Sequence, residues 1–439
     1  MLDIKFIRQN PEKVKDGCWK KGVKVDIDRL LELDKKKRGL LQEIEGLRAE
    51  QNRISKELAL RSLAPKSLGA RLLKRKIKLL EPELENTEKE LENLLQQIPN
   101  LPLDEVPEGK DEKDNKILRE VGKKPKFNFK PKDYLTIAEN LDLIDMERAA
   151  KVSGTRFGYL KNEAVLLEFA LVQLAFDVLI KQGFIPIAPP VMIKPEPYKG
   201  TGRLLAGQEQ ERYYLSKDEL YLVGSAEHTL APMHLNEVFE EKDLPRRYVG
   251  FSTCFRREAG SYGKDTKGIL RVHQFDKVEM FSFVKPEDSL KEHEFLLAQE
   301  EKLMQLLEIP YRVALLCAGD MDWIDVKQYD IEAWLAGQNQ YRETHSCSNT
   351  ADFQARGLNI RYREKKTSRT AFVHMLNATA LAIGRMIIAI LENYQQKDGS
   401  VVVPKVLRKY VGKNKMTILS KSMILKQNGH PERSEGSRS

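Results

Sequence analysis

The stretch from Phe251 to Phe283, FSTCFRREAGSYGKDTKGILRVHQFDKVEMFSF, consists of two alternating segments joined by a long basic loop. In a strand, every second side chain lies on the same face. Alternation therefore predicts Arg256 and Glu258 on one face of the first strand, and Phe275 and Glu279 on one face of the second. Arginine pairs with phosphate oxygens, a carboxylate accepts from an exocyclic amine, and an aromatic ring stacks on a base. The pattern predicts an antiparallel pair of strands able to hold a bent nucleotide.

An exposed hairpin held by ordinary ion pairs would explain an isolated F-R-x-E equally well. Here the F-R-x-E is followed by a loop of suitable length and by a closing H-Q-F-x-K-V-E. Together these features resemble motif 2 of the class II aminoacyl-tRNA synthetases, most closely that of the seryl-tRNA synthetases. On this stretch the resemblance implies five ATP-binding residues, with the first also catalytic and in contact with serine. They are Arg256, Arg257, Glu258, Val272 and Phe275.

The composition favours a polyanionic partner, because the 439 residues carry a formal net charge of +9 and a pI near 9.0. This length is sufficient for two domains. The four cysteines form no C-x-x-C pair, so neither a zinc site nor a disulfide framework is expected. No apolar run reaches the roughly 18 residues of a membrane span, and the N-terminus has no secretory signal. We therefore expect a cytoplasmic protein with no membrane contact.

Apolar residues recur at a spacing of seven in two segments near the N-terminus. The two series are Leu33, Leu40, Leu47 and Ile54, then Ile77, Leu84, Leu91 and Ile98. Two such series joined by a turn near Ala64–Gly69 predict an antiparallel coiled coil, with arms over about 27–62 and 67–98. A dimerisation coil or a spacer is the alternative function for such an element.

The tip and the start of the return helix lack acidic residues from 58 to 80. A cationic far end suits contact with an RNA backbone. The arm as a whole resembles that of the seryl-tRNA synthetases, which binds the long variable arm of the tRNA. The candidate tRNA-binding residues are Arg61, Lys66, Arg71, Lys74, Arg75, Lys76 and Lys78.

The predicted fold is α+β, with this arm attached to a class II catalytic domain. That domain would be built on a mixed, mainly antiparallel sheet flanked by helices. We assign 1–103 to the N-terminal domain, in which Pro11 starts a helix. Residues 104–132 are predicted to be an exposed linker rich in proline, glycine and charge. The catalytic domain would span 133–412, and 413–439 would be a disordered tail.

Two further segments resemble parts of the same family. The apolar helix predicted over 168–183 and the strand GFIPIAPPVMIK after it resemble motif 1, which implies a homodimer. The segment YLVGSAEHTLAP (221–232) resembles the serine-binding turn and implies contacts to serine from Ser225, Ala226 and Glu227. In this segment Gly224 stands where the family usually has proline.

Residues 329–349, YDIEAWLAGQNQYRETHSCSN, begin with strand-like alternation. The resemblance implies Glu343 and Ser346 as ligands of Mg²⁺, an ion that favours oxygen donors. It implies ATP contacts from the four residues of the run Glu343, Thr344, His345 and Ser346. A zinc site using His345 and Cys347 lacks a third ligand.

The segment 372–412 resembles motif 3. Arg385 falls in an apolar helix predicted over 381–394, where a buried arginine must meet an anion. The resemblance makes Arg385 catalytic and places it on the ATP γ-phosphate; an internal ion pair is the alternative. Asn377 and Thr379 would bind serine together with Glu279. The run Asn377–Ala380 departs from the commoner Asn-Gly-Ser-Gly.

These motifs lead to the hypothesis of a serine–tRNA ligase that uses ATP and Mg²⁺. Its partners would be L-serine and tRNA(Ser), with tRNA(Sec) left open as a second substrate. An inert paralogue that binds tRNA or acts as a scaffold is the alternative. An enzyme that aminoacylates a carrier protein is a third hypothesis, which the retained basic arm disfavours.

Overall fold

The computed structural model describes residues 1–60, 68–204, 208–259 and 267–417. The chain divides into two compact units. The first comprises Met1–Asp114 and Cys317–Val326, and the second comprises Asn115–Leu316 and Lys327–Ser439.

Four helices form most of the first unit. They are α1 (Ile4–Gln9), α2 (Pro11–Lys20), α3 (Ile27–Leu60) and α4 (Leu68–Leu95). Helix α2 begins at Pro11 as predicted, because a proline at the first helical position loses no intrahelical hydrogen bond. Ion pairs between Arg29 and Glu90 and between Arg48 and Glu81 show that α3 and α4 run antiparallel. The predicted helical hairpin is therefore confirmed.

The heptad residues form the seam between α3 and α4. Near its base Leu30, Leu33 and Leu91 are buried, whereas Leu47 and Ile54 towards the tip are only half-buried. The turn predicted around Pro65 lies outside the described residues, as do Arg61 and Lys66. The other candidate tRNA-binding residues lie on α4 with exposed side chains. They are Arg71, Lys74, Arg75, Lys76 and Lys78.

An eight-stranded sheet organises the second unit. Its strands, in spatial order, are β1 (Lys116–Val121), β11 (Tyr311–Leu315), β12 (Lys327–Leu335), β13 (Gln340–Asn349), β16 (His374–Ala382), β10 (Gln274–Val284), β9 (Arg246–Phe255) and β4 (Ile185–Ile187). Every pair is antiparallel except β4 with β9. The predicted mixed, mainly antiparallel sheet is confirmed.

Short strands form four small sheets beside it. They are β2 (Ile144–Asp145) with β3 (Tyr159–Leu160); β5 (Met192–Ile193), β6 (Tyr214–Leu215) and β7 (Leu220–Leu222); β8 (Val238–Glu240), β14 (Arg361–Arg363) and β15 (Thr370–Phe372); and β17 (Val401–Val402) with β18 (Lys415–Met416).

Helices flank the large sheet and complete its core. The helices of this unit are α5 (Tyr134–Asn140), α6 (Met146–Ser153), α7 (Glu163–Ile180), α8 (Pro195–Gly200), α9 (Glu227–Leu230), α10 (Ser289–Leu306), α11 (Phe353–Leu358), α12 (Ile383–Asn393) and α13 (Arg408–Val411). Apolar side chains of α7, α10 and α12 pack with those of the central strands in one cluster. Burial of that cluster is the main contribution to the stability of this unit.

The predicted linker and the predicted tail both differ from the structure, and the helix predicted over 168–183 is α7, Glu163–Ile180. The stretch 104–132, predicted to be an exposed linker, contains the edge strand β1, which pairs with β11. An edge strand has one neighbour and stays exposed, so its charged sequence resembles a linker. The tail predicted from 413 begins with the two-residue strand β18, in which Met416 is fully buried. Residues 418–439 lie outside the described part.

Two β-bulges shape the sheet. In β13 the pairing passes from Ile331–His345 to Glu332–Glu343, so that Thr344 is the extra residue. In β16 it passes from Val278–Leu381 to Glu279–Thr379, so that Ala380 is the extra residue. A bulge shifts the alternation of side chains by one position. Both bulges fall among the predicted site residues.

Candidate active site

The adjacent strands β9 and β10 hold the residues of the quoted stretch. Arg256 and Glu258 lie just beyond the end of β9, and Glu258 has a positive φ of 51°. The predicted alternation therefore stops at Phe255. Arg256 nevertheless reaches the expected neighbour, since its guanidinium carbon lies 5.3 Å from the centre of the Phe275 ring. Its Nε donates to the carbonyl of Gly224 at 3.1 Å.

A buried ion pair occupies the centre of β10. The ammonium of Lys277 lies 2.6 Å from a carboxylate oxygen of Glu279, whose side chain is 1% exposed. Burial raises the pKa of Glu279, and the positive charge of Lys277 opposes that rise. The hydroxyl of Thr379, opposite Glu279 on β16, approaches the same carboxylate at 3.5 Å. Glu279 and Thr379 thus meet as predicted for a hydroxyl-binding pair.

Glu227 lies at the start of α9 and is buried. One of its oxygens accepts from Arg203 at 3.0 Å and from Gln354 at 2.9 Å. The Ser225 hydroxyl accepts from the Glu227 amide at 3.1 Å and so fixes the turn that leads into α9. Ala226 is fully buried beneath this turn. Glu227 is therefore held rigidly on one oxygen.

Glu343 and Ser346 share a face of β13 despite their odd spacing. The bulge at Thr344 is responsible, because Glu343 lies opposite Glu332 and Ser346 lies opposite Asp330, two residues away on β12. Thr344 and His345 are both buried. Side-chain contacts from Thr344 and His345 to ATP do not fit this arrangement, so only their backbones remain for that role.

His345 packs inside the sheet as a neutral side chain. Its Nδ1 lies 2.8 Å from the Thr344 hydroxyl. Burial lowers the pKa of His345 to about 3. His345 is therefore a core residue beside the site, and its ring points away from the face that carries Glu343.

Arg385 occupies the first turn of α12, which begins at Ile383 rather than at Leu381 as predicted. Its side chain is 27% exposed, so the premise of a fully buried arginine was wrong; a helix start leaves room that a helix centre does not. One of its nitrogens lies 3.0 Å from a Glu343 carboxylate oxygen and also donates to the Glu343 carbonyl. Desolvation opposes ionisation of Glu343, but Arg385 outweighs it and lowers the pKa of this carboxyl.

The remaining predicted ATP residues surround this face. Glu258 accepts from Arg271 at 2.9 Å, and Arg257 lies with its guanidinium carbon 5.6 Å from the Tyr213 ring centre. Val272 is buried and helps line, with Phe275, a cavity of about 350 Å³. Each of these residues lies in the loop between β9 and β10 or on β10 itself.

Asn377 lies two residues before Thr379 on β16, on the same face. Its side-chain nitrogen is buried and finds no hydrogen-bond partner within the described part of the chain. A buried amide donor without a partner is costly. Asn377 therefore presents an unused donor beside the Glu279–Thr379 pair.

Three charged or polar residues of this site, Arg203, Gln354 and Arg271, are absent from the set predicted from the sequence. Arg203 and Gln354 bind Glu227 from two distant segments, and no local pattern could have revealed them. Arg271 lies within the quoted stretch, where a cation near the predicted phosphate site was an available signal. Arg203 and Arg271 add positive charge to the predicted set.

The donor set fits a hard cation in one place. Glu343 supplies a carboxylate and Ser346 a hydroxyl on the same face, and Mg²⁺ completes such a set with water and substrate oxygens. Among the described residues, no three or more His, Cys, Asp or Glu side chains cluster as a metal-binding group. A search of the same residues finds no helix with the length and apolar character of a membrane span.

Two family models match the chain. The seryl-tRNA synthetase N-terminal domain matches residues 1–102, and the tRNA synthetase class II core domain (G, H, P, S and T) matches residues 212–394. The second match contains every predicted ATP-binding and serine-binding residue.

Individual relatives agree with the family models. The serine–tRNA ligase of Dictyoglomus turgidum is 46% identical over 418 residues, covering 94% of this chain and 98% of the relative. That of Nitrosopumilus maritimus is 44% identical over 421 residues, covering 94% of this chain and all of the relative.

Solved structures give the same result. The crystal structure of seryl-tRNA synthetase from Pyrococcus horikoshii complexed with ATP superposes with a TM-score of 0.88 at 43% identity, covering 96% of this chain and all of that one. The cytoplasmic serine–tRNA ligase of Naegleria fowleri in complex with AMP gives 0.85 at 34% identity, covering 96% of this chain and 99% of that one.

Proposed function

This chain belongs to the seryl-tRNA synthetase family, and from that premise we propose how its residues activate serine with ATP and transfer it to tRNA. The reaction has two steps. The serine carboxylate attacks the α-phosphorus of ATP, which gives seryl-adenylate and pyrophosphate. The terminal ribose hydroxyl of the tRNA then takes the seryl group and releases AMP.

Binding and neutralising ATP are assigned to two arginines, Arg256 just beyond β9 and Arg385 in the first turn of α12. Arg256 neutralises the α-phosphate as negative charge develops there, and Arg385 binds the γ-phosphate after release from Glu343. Phe275 stacks on the adenine, and Glu258 accepts from its amino group. Catalysis then rests on positioning and preorganised charge, without a covalent nucleophile.

Selection of serine is assigned to the Glu279–Thr379 pair. Glu279 and Thr379 hydrogen-bond the substrate hydroxyl, with Asn377 as a neighbouring donor. Alanine would leave those buried groups unpaired, which is a strong basis for rejecting it. Arg203 and Gln354 both donate to one oxygen of Glu227, and the other oxygen holds the substrate ammonium. Ser225 and Ala226 shape the turn. Threonine must be excluded by the shape of the pocket.

Glu343 and Ser346 would hold Mg²⁺ on the face where Arg385 lies. When bound there, the ion supplies additional neutralisation of the polyphosphate charge. The pairing with Arg385 favours the ionised form of Glu343 and keeps the two side chains close until ATP arrives. Thr344 and His345 would contribute through backbone atoms alone.

The partner surfaces follow the two units. We assign tRNA(Ser) binding to the basic stretch of α4, where Arg71, Lys74 and Lys78 are exposed. We assign homodimerisation to the motif 1 region, because Phe169 on α7 and Ile185 on β4 are large exposed apolar side chains. Charging of tRNA(Sec) and a cytoplasmic location belong to the same proposal.

The observation that carries this proposal is the buried meeting of Glu279, Lys277 and Thr379 beside Arg256. Its test is ATP–pyrophosphate exchange with serine, threonine, alanine, glycine and cysteine, each over a range of concentrations. Exchange that depends on serine supports the proposal. A folded protein that binds tRNA but gives no exchange with any amino acid would favour the inert paralogue.

A further inference from the structure

His228 follows Glu227 on α9 and is buried, yet the proposed chemistry gives it no task. Its Nδ1 lies 3.0 Å from the amide nitrogen of Gly224 and 2.7 Å from the hydroxyl of Tyr198. An amide N–H can only donate, so Nδ1 must be the unprotonated acceptor and Nε2 must carry the proton. The ring is therefore fixed in one neutral tautomer.

The backbone of Gly224 links this histidine to the site. Its N–H donates to His228, and the Gly224 carbonyl accepts from Nε of Arg256 at 3.1 Å. The backbone of Gly224 is thus bound to His228 through its N–H and to Arg256 through its carbonyl. Tyr198 is fully buried and stacks at a tilt against the His228 ring, with centroids 4.8 Å apart, which restricts its rotation.

We propose that His228 is a positioning residue. By anchoring the backbone of Gly224, it holds the guanidinium of Arg256 where the α-phosphate must lie when the serine carboxylate attacks. The inference rests on the proposed role of Arg256. Burial, reinforced by the charges of Arg212 and Arg203, holds the pKa of His228 well below its usual value. His228 therefore acts through a fixed hydrogen bond rather than through proton transfer.

This arrangement explains why glycine rather than proline stands at 224. A proline has no N–H for His228, and its ring would place carbon where that N–H now points. A Cβ at this position would lie 3.3 Å from Cε1 of His228, which is a tight approach, and 3.5 Å from Cγ of Arg256, which is an ordinary contact. Gly224 and His228 thus form a matched pair, and a proline at 224 would require a smaller residue at 228.

The test is a cycle of four proteins assayed by serine-dependent exchange. His228→Val removes the acceptor of both the buried Gly224 N–H and the Tyr198 hydroxyl. We expect kcat to fall about 10- to 100-fold with little change in the KM for serine. Gly224→Pro alone should lose at least as much. The double variant Gly224→Pro/His228→Val has neither the orphan N–H nor the clash. It keeps only the loss of the acceptor for the Tyr198 hydroxyl, which it shares with His228→Val. It should therefore be more active than either single variant and recover to within about fivefold of wild type.

His228→Asn is the conservative control, because its Oδ1 occupies the position of Nδ1 and can accept the same N–H. We expect His228→Asn to retain activity within about threefold, with an unaltered pH profile. Thermal melting checks that each variant is folded. A double variant no more active than His228→Val, or a His228→Val with wild-type kcat, would overturn the inference. Wild-type protein without serine-dependent exchange would instead refute the proposed function.

Discussion

In the helical hairpin, Arg48 and Glu81 form an ion pair at 3.0 Å with side chains 57% and 49% exposed. In the sheet, Lys277 and Glu279 form one at 2.6 Å with side chains 10% and 1% exposed. The same kind of contact has different consequences in the two places. Water screens the first pair and can hydrogen-bond to either side chain when the other is removed. The pair therefore contributes little to the free energy of unfolding. Burial makes the second pair costly to break.

This difference teaches where charge serves chemistry. Along the arm, opposite charges at the base are exchangeable, and the exposed cations Lys74, Arg75 and Lys78 on α4 are available to a polyanion. In the site, nearly every charge is held by a second one: Glu227 by Arg203, Glu258 by Arg271, and Glu343 by Arg385. We therefore expect single charge substitutions to have small effects in the arm and large effects on activity in the site.

The largest effect is expected from Glu279→Ala. It removes the acceptor for the substrate hydroxyl and leaves Lys277 buried without its partner, so kcat/KM for serine should fall by about 100-fold or more. The KM for ATP should change little, because ATP is assigned to other residues. Steady-state exchange kinetics with each substrate varied measure both. Equal losses for serine and ATP would contradict the assignment.

Arg385→Ala should have the opposite substrate profile. Losing the γ-phosphate contact should raise the KM for ATP and lower kcat, together by about 10- to 100-fold in kcat/KM. The KM for serine should stay within about threefold. Arg363→Ala, an exposed arginine on β14, is the matched control and should be silent. An Arg385→Ala protein with unchanged ATP kinetics would show that the ion pair with Glu343 is only structural.

On the arm, we expect Lys74, Arg75 and Lys78 all changed to Gln to weaken tRNA binding without affecting exchange. The slope of log K against log salt is negative, and each lost phosphate contact should make it less negative by about 0.7–0.9. Titrations at several salt concentrations measure it. The matched control changes exposed Lys181, Lys199 and Lys217 to Gln. If both triple variants lose the same affinity, general charge rather than the arm surface binds the tRNA.

Glu300 on α10 tests how much a buried charged group affects the stability of the fold. Both of its carboxylate oxygens are buried and find no hydrogen-bond partner among the described residues. Burial, followed by the charge of Asp330, raises the pKa of Glu300 well above the usual value. The folded state therefore holds a proton that the unfolded chain releases above about pH 4.5, and stability falls as pH rises from there. Glu300→Met should add about 1–2 kcal/mol at pH 7 and weaken this dependence.

Urea unfolding at pH 5 and pH 7.5 measures the effect of Glu300→Met. Lys302→Met, on the exposed face of the same helix, is the control and should change stability by less than about 0.5 kcal/mol. A Glu300→Met protein that is less stable than wild type at pH 7.5 would mean that the carboxyl makes a favourable interaction in the fold.

The smallest effect is expected where Arg48 and Glu81 are exchanged. Reversing both charges preserves the pair, and even Glu81→Gln should cost less than about 1 kcal/mol. Thermal or urea unfolding at low and high salt measures this. A cost above about 2 kcal/mol would show that arm ion pairs stabilise the fold as buried pairs do.

The arm was predictable because its signal is local. Spacing of seven places Leu33 and Leu91 in the seam, and a helix carries that periodicity without help from distant residues. The start predicted at 27 coincides with the first residue of α3, and the end predicted at 98 lies three residues beyond Leu95, the last residue of α4. The sheet site was predictable in its residue types, since the resemblance supplied them, but not in its geometry.

Bulges and distant pairings account for what sequence analysis missed. Glu343 and Ser346 share a face only because Thr344 is an extra residue, and strict alternation would have separated them. Glu227 binds Arg203, 24 residues before it in the sequence, and Gln354, 127 residues after it. Such contacts depend on the register of several strands at once, which local patterns do not encode.

The separation of arm and site can be tested most directly by removing the outer part of the hairpin. Replacing residues 44–80 with a short Gly-Ser turn keeps Leu33 and Leu91 at the base. The predicted result is serine-dependent exchange within about twofold of wild type, with charging of tRNA(Ser) reduced by about 100-fold or more. Charging at the wild-type rate, or loss of exchange in a folded protein, would contradict the division of labour proposed for the two regions.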